Sequence, residues 1–434
     1  MRQLKACIKT YKHTLLWLFM VILGGIGGGF IGAAVLSLPL LFIDNKVLKV
    51  ETLFTLFIFT FFLGDNFKGA LGFAPNLRFV ILGIALVILL KFKLFKANEA
   101  KYILPFSIVA TLITFALSPM GVEAVLRGVS YFLVALVVFK LVQLLVAHDT
   151  LRFYNLIVTI LALYFCLNVL VFFVPFLGEA FLKGRFMGLM GNPNGLAMVA
   201  MFSYPIIDVV KKLKQTSFSP LFFRGFKIVL IGLIILTGSR TALFSMLSYE
   251  LIIRLLKYKF LLVVVLLLIT YVYSVSATLS LGNIVESLGL SSYLRTESLE
   301  DASGRTEVWV VAVEEIKNQP WLGKGMLYDN FFILDYGERF IGEIRARHWY
   351  GIWNSYLSLL LNVGIIGILA FSFFWYKMYV HSQMKIMRLA FLVLCLFSGI
   401  SESWMAASMN AFMPLVFLCW GLQIYTPKPN TEVL

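Results

Sequence analysis

The sequence predicts an all-α, polytopic membrane helix bundle of about 12–14 transmembrane helices, with one long extramembrane loop that contains short helices. Three observations carry that expectation. Of 434 residues, 60% are hydrophobic and 14% charged, with a mean hydropathy of +0.91, which is more apolar surface than a water-soluble core can hide. The apolar residues fall in runs long enough, or nearly so, to cross a bilayer. Between the runs, Lys and Arg gather in short clusters, the pattern of cytoplasmic loops.

The runs are 14–28, 30–43, 51–63, 77–91, 101–117, 121–146, 152–175, 192–210, 222–238, 240–256, 259–279, 352–376, 386–403 and 405–425. Lys46 and Lys49, Lys91 to Lys101, Lys211 to Lys227, Arg254 to Lys259 and Lys377 to Arg388 alternate with the other loops and fall on one face, which the bias of basic loops makes cytoplasmic. Both termini join that face. The alternation assigns the opposite, periplasmic or extracellular face to Ser-Pro-Met-Gly at 118, to the stretch from Leu182 to Gly195, to Thr-Gly-Ser-Arg at 237 and to the segment from Leu281 to Tyr350.

That last segment holds half of the 22 acidic residues: Glu286, Glu297, Glu300, Asp301, Glu307, Glu314, Glu315, Asp329, Asp335, Glu338 and Glu343. Its apolar spacing predicts a helix from Ser303 to about Asn318, ended by Pro320. The chain therefore divides into an N-terminal bundle (1–280), a large periplasmic loop (281–351), C-terminal transmembrane helices (352–425) and a cytoplasmic tail (426–434).

Several function classes drop out. A charge of +15 would indicate nucleic acid in a soluble protein, but here the cations line membrane loops. Cys7, Cys166, Cys395 and Cys419 stand singly, without metal spacing or a disulfide framework. The basic and then apolar N-terminus imitates a signal peptide but lacks a small-residue cleavage site, so it reads as an uncleaved first helix. Gly27, Gly29 and Gly32 follow the order G-x-G-x-x-G, yet no strand precedes them; close helix packing is the expected role, not a dinucleotide site. No P-loop, zincin motif or G-x-S-x-G occurs, and no metal or cofactor is expected.

Arg240 stands out because it joins two apolar runs at the outer face, where the positive-inside bias disfavours it and an unpaired cation is costly. Arg185, Arg305, Arg345, Arg347 and His348 share that face. Arginine's planar fork suits phosphate oxygens; the competing roles are salt bridges to loop acids or snorkelling to lipid phosphate. Gly238 and Ser239 beside Arg240, and Ser303 and Gly304 beside Arg305, leave room for a ligand.

Four stretches in order, "RFMGLMGNPNGLAM", "LTGSRTALFS", "SGRTEVWVVAVEEIKNQPWLGKG" and "WNSYLSLLLNVGIIGIL", resemble the superfamily of O-antigen ligases and Wzy-type polysaccharide polymerases, over roughly residues 120 to 425. The resemblance implies a bundle in the bacterial inner membrane, a periplasmic-side cavity beneath the long loop, and transfer of glycan from undecaprenyl diphosphate to an acceptor hydroxyl without a metal. The implied partners are the lipid-linked glycan, an acceptor glycan or lipid A-core, membrane lipid, and chain-length regulators or export proteins. The family's arginines map onto Arg240 and Arg305, with Arg185 as a third.

Such chemistry asks the enzyme to stabilise the charge growing on the diphosphate, hold the acceptor in line and take one proton. The arginines suit the first task. Many family members have His-Asn where this chain has Trp353-Asn354, so the proton acceptor falls to His348 or to Glu402. Either also fits an ordinary solvated position. Asn192 and Asn194 are placed to bond sugar hydroxyls, although Asn-Pro-Asn-Gly is also turn chemistry. Trp353, like Trp309, Trp321 and Trp349, is a sugar-stacking or interfacial residue. Polymerisation of repeat units is the leading expectation, with ligation to lipid A-core as its alternative. A secondary transporter or flippase is more distant, because the runs lack acids at their centres.

Overall fold

The computed structural model describes residues 2–65, 69–96, 98–173, 179–257, 305–336 and 351–425. Over these residues the chain is all-α apart from one small hairpin, as the composition predicts. The helices are α1 (Arg2–Thr10), α2 (Lys12–Ser37), α3 (Lys46–Leu63), α4 (Ala74–Leu90), α5 (Leu104–Leu117), α6 (Gly121–His148), α7 (Thr150–Leu170), α8 (Pro193–Leu213), α9 (Pro220–Thr237), α10 (Arg240–Lys257), α11 (Arg305–Asn318), α12 (Tyr328–Tyr336), α13 (Ser355–His381), α14 (Lys385–Ser398) and α15 (Met413–Tyr425). The antiparallel hairpin, β1 (Phe181–Leu182) and β2 (Arg185–Phe186), precedes α8. Six helical stretches among the described residues are long and apolar enough to cross a membrane. The expected run 259–279 and most of the long loop, with Arg345, Arg347 and His348, lie outside the described residues.

Helices that are apolar all round belong inside a bundle, and α3 and α15 obey that rule. Residues Val50 to Leu63 and Met413 to Ile424 are buried throughout. Much of α6 and α8 joins them in the core. Around this centre the outer helices turn residues such as Phe115, Leu112 and Leu221 outward, the pattern of a lipid-facing surface.

The glycine run folds the first helix back on itself. Gly29 has φ 59° inside α2, and a Cβ on Gly32 would lie 2.2 Å from the Gly24 carbonyl oxygen. In a straight helix those residues stand about 12 Å apart. The two expected runs 14–28 and 30–43 are therefore the arms of one sharp reversal; Gly32 packs closely as expected, while Gly27 and Gly29 have open space beside them and Gly29 serves the turn.

The helix ends sort into two groups. At one end Arg152 pairs with Glu51 while Tyr11 donates to the Arg152 carbonyl at 2.6 Å; Tyr425 bonds Glu99, and the Gln383 backbone N–H bonds the Gln423 carbonyl at 3.0 Å. This end carries the Lys clusters. At the other end the Gly191 N–H reaches the Asp65 carbonyl at 3.1 Å, Tyr131 reaches the Met405 carbonyl at 2.6 Å, and Ser118 reaches the Met326 carbonyl at 3.2 Å. The loops at 118, 182 and 237 thus share an end with residues 305–336, as the charge alternation requires.

One acid lies deeper than the sequence reading allowed. Glu250, inside the run 240–256, shares Lys227 with Asp208: Lys227 Nζ donates to Asp208 at 2.8 and 2.9 Å and to Glu250 at 2.8 Å, and Tyr204 donates to the same Glu250 oxygen. A lysine with all three donors used makes these carboxylates tolerable in low dielectric. The cluster joins α8, α9 and α10, whose opposite ends meet elsewhere.

The expected transmembrane run 352–376 is broken. In α13, Gly364 has φ 61°, and a Cβ there would meet the Trp321 carbonyl carbon at 2.4 Å. The segment after α11 docks on this break. Lys324 and Gly325 N–H groups bond the Leu361 and Asn362 carbonyls, each at 2.8 Å, and Ile365 and Ile366 N–H groups bond the Pro320 and Trp321 carbonyls at 2.9 and 3.1 Å. Asn362 and Asp329 exchange two bonds of 3.0 Å. The motif Gln-Pro-Trp-Leu-Gly-Lys-Gly thereby fixes the extramembrane helices to the bundle. Beneath them Val308, Ala312, Ile333, Ile352 and Leu361 form a second small core. The helix expected to end near Asn318 does so, ahead of Pro320.

The runs 386–403 and 405–425 are also not two full helices. α14 stops at Ser398, α15 begins at Met413, and between them lies a buried loop with one 3-10 turn, Trp404–Ala406. Asn410 ties the loop together: Nδ2 donates to the Trp404 and Ala407 carbonyls at 2.7 and 2.6 Å, and Oδ1 accepts from Phe412 and Met413, both at 2.9 Å. Trp404, Met405, Ala406 and Ala411 are buried, so apolar residues continue past the ends of both helices.

Candidate functional site

At the end of the bundle opposite the lysines, four segments distant in sequence converge on Glu402, in the buried loop after α14. The hairpin supplies Arg185, the start of α8 supplies Asn194, the turn between α9 and α10 supplies residues 237–241, and the start of α11 supplies Arg305.

Each side chain is placed by a local rule. Asn192 caps α8, its Oδ1 accepting from the Gly195 N–H at 2.7 Å, with Pro193 at the first helical position; Asn194 follows inside the first turn. Gly238 ends α9 in the left-handed conformation, φ 60°. A Cβ there would stand 3.5 Å from Arg185 Nε, an ordinary contact, so it is the left-handed turn that requires glycine. Arg185 Nε donates to the Thr237 carbonyl at 2.6 Å, a cation against the negative end of α9. Arg240 opens α10, and its neighbour Thr241 meets Ser401 Oγ at 2.7 Å.

The centre is a charge network. Arg185 Nη2 donates to Asn194 Oδ1 at 2.5 Å, and Asn194 Nδ2 donates to Glu402 Oε1 at 2.9 Å. Arg305 Nη2 lies 3.8 Å from the same Glu402 oxygen, while its Nη1 donates to the Ser401 carbonyl. The Arg305 guanidinium stands 5.7 Å from the Trp353 ring centre, within cation–π range. Trp353 itself takes φ 53°, a costly conformation for a bulky residue and one that the surrounding structure must impose. Asn354 caps α13, accepting from the Tyr356 and Leu357 N–H groups at 2.9 and 3.1 Å.

Glu402 is 8% exposed. Burial pushes its carboxyl up to about 6, against the opposing pull of Arg305, Arg185 and the Asn194 hydrogen bond. A carboxylate that holds a proton near neutrality is suited to general acid–base work. Arg185, Arg240 and Arg305 contribute three positive charges and Glu402 one negative, leaving a formal +2, a fit for an anion such as a diphosphate. Among the described residues no three His, Cys, Asp or Glu side chains gather as a metal site.

Of the sequence-derived candidates, Arg185, Asn194, Arg305, Trp353 and Glu402 come together, with Arg240 at the adjoining helix start. Asn192 and Asn354 flank the site as helix caps. Sequence reasoning missed Ser401 and the Thr237 carbonyl, which carry no pattern, and it offered Asn194 as a sugar ligand or a turn residue without anticipating that its amide bridges Arg185 and Glu402. Only the asparagine's position just inside a cap hinted at a structural task.

No curated protein matches the chain. The family described as O-Antigen ligase matches residues 225–372, a stretch that contains Arg240, Arg305, Trp353 and Asn354 and stops before Glu402. That match, with the ordered motifs and the all-α membrane bundle, supports the resemblance of residues 225–372 to the O-antigen ligase and Wzy-type polymerase superfamily.

Proposed function

We propose that the protein is a metal-independent glycosyltransferase of the bacterial inner membrane that joins lipid-linked glycan repeat units on the periplasmic side, with undecaprenyl-diphosphate-linked glycan as donor. The observation that carries this reading is the buried carboxylate of Glu402 set between Arg185 and Arg305. In the reaction Glu402 takes the proton of the acceptor hydroxyl, the oxygen forms its bond to the anomeric carbon, and the bond from that carbon to the diphosphate breaks. The leaving diphosphate keeps the electron pair. Arg185, Arg240 and Arg305 stabilise its growing charge, and because Arg185 and Arg305 are anchored before reaction they need little reorganisation. Trp353 holds the face of Arg305 and offers an aromatic wall to a sugar.

Polymerisation is favoured over ligation because Trp353, rather than histidine, precedes Asn354, and the acceptor is then the sugar of a second lipid-linked unit. A deletion strain separates the two. Loss of a polymerase leaves single repeat units on the final acceptor; loss of a ligase leaves long glycan stranded on the lipid carrier. Accumulation of long carrier-linked glycan would replace polymerisation with ligation to lipid A-core.

A further inference from the structure

Asn194 touches both halves of the site. Its Oδ1 faces Arg185 at 2.5 Å and its Nδ2 faces Glu402 Oε1 at 2.9 Å. The two ends of a carboxamide differ, so only one orientation works here: the flipped amide would set N–H against a guanidinium and a carbonyl oxygen against a carboxylate. Both neighbours are themselves anchored. Arg185 is held by the Thr237 carbonyl at 2.6 Å, and the backbone of Glu402 is held by Ser355, whose Oγ donates to its carbonyl at 2.6 Å.

We propose that Asn194 is a positioning residue that aims the Glu402 carboxylate at the acceptor hydroxyl and links it to Arg185 on the donor side. The inference rests on the reading of Glu402 as the base. Asn194 and Arg305 both approach Oε1, which leaves Oε2 as the oxygen for the acceptor. Among the described residues, the charged groups that act on Glu402 are Arg305 from α11 and Arg185 from the hairpin; Asn194 is the neutral donor between them. A hydrogen bond to the ionised form favours it, so removing that donor makes Glu402 hold its proton to higher pH.

The test measures kcat and donor KM against pH for the full-length protein in liposomes, with lipid-diphosphate-linked repeat unit as substrate. Asn194→Asp keeps an acceptor for Arg185 but turns an anionic oxygen on Glu402. It is expected to lower kcat about tenfold at neutral pH and to move the acid limb upward by about one pH unit, with donor KM changed less than about threefold. Asn194→Ser keeps a hydroxyl donor and is expected to restore the limb that Asn194→Ala displaces. This pair decides the matter if the Asp variant does not fold. A limb that stays at its wild-type position in every folded variant, with activity lowered equally at all pH, overturns the proposal. Failure of the underlying reading looks different: Glu402→Gln would then retain turnover.

Discussion

With Glu402 as the proposed base, the burial of one carboxylate sets the expected pH dependence of turnover. Burial pushes the Glu402 carboxyl up to about 6, because the protein removes it from water and its arginines only partly compensate. A base works when unprotonated, so activity is present above this value and lost as pH falls through it. With a midpoint near 6, the unprotonated fraction falls about tenfold from pH 7 to pH 5, whereas for an ordinary glutamate near 4.3 it would fall only about 1.2-fold. The same shift has a stability sign. A carboxyl raised above its unfolded value stabilises the fold below the unfolded value and loses that advantage as pH rises through the folded one, so the ionised form costs at most about 2 kcal/mol at pH 7. Glu402→Gln is therefore expected to abolish turnover, to remove the acid limb from any residual rate, and to leave the protein at least as stable as the wild type at neutral pH. The assay is single-turnover transfer in liposomes across that range, with thermal unfolding in detergent alongside. A flat wild-type profile between pH 5 and pH 7, or an active Gln variant, would refute the assignment of Glu402 as base.

Arg305→Ala is expected to weaken donor binding and reduce kcat by about 100-fold or more, with Arg305→Lys a poor rescue because an ammonium cannot reproduce the fork or the stacking on Trp353; lipid-diphosphate binding and transfer assays measure both, and an active Lys variant would reduce the site's requirement to charge alone. In intact cells a cysteine at Lys183 should react with an impermeant maleimide and one at Lys93 should not, since the loops sort by charge; the reverse labelling would place the site in the cytoplasm. Gly364→Ala puts a Cβ 2.4 Å from the Trp321 carbonyl carbon at φ 61°. It should cost about 1–3 kcal/mol or more and loosen the segment that carries Arg305, read as increased proteolysis of residues 305–336; unchanged protease resistance would mean that the break in α13 can relax.

The sequence by itself determined the class of the protein. Apolar runs must be helices where no water can satisfy the backbone, and the clustering of lysines divided the loops between two ends before any contact was known. It also singled out Arg185, Arg240 and Arg305, because a cation on the outer face is costly and so conspicuous, and it offered Glu402 beside His348 as the proton acceptor. What hydropathy could not see was where apolar segments stop being helical. The break at Gly364 depends on backbone hydrogen bonds from residues 320–325, and the loop that presents Glu402 depends on the four bonds of Asn410. Neither leaves a periodic trace, since both are contacts rather than compositions. The same is true of Lys227 between Asp208 and Glu250, where three charges on three helices become tolerable only once packed together. The tertiary structure alone decided that Asn194 bridges Arg185 and Glu402, because a bond across 208 residues of chain exists only when the fold brings its two ends to the same place.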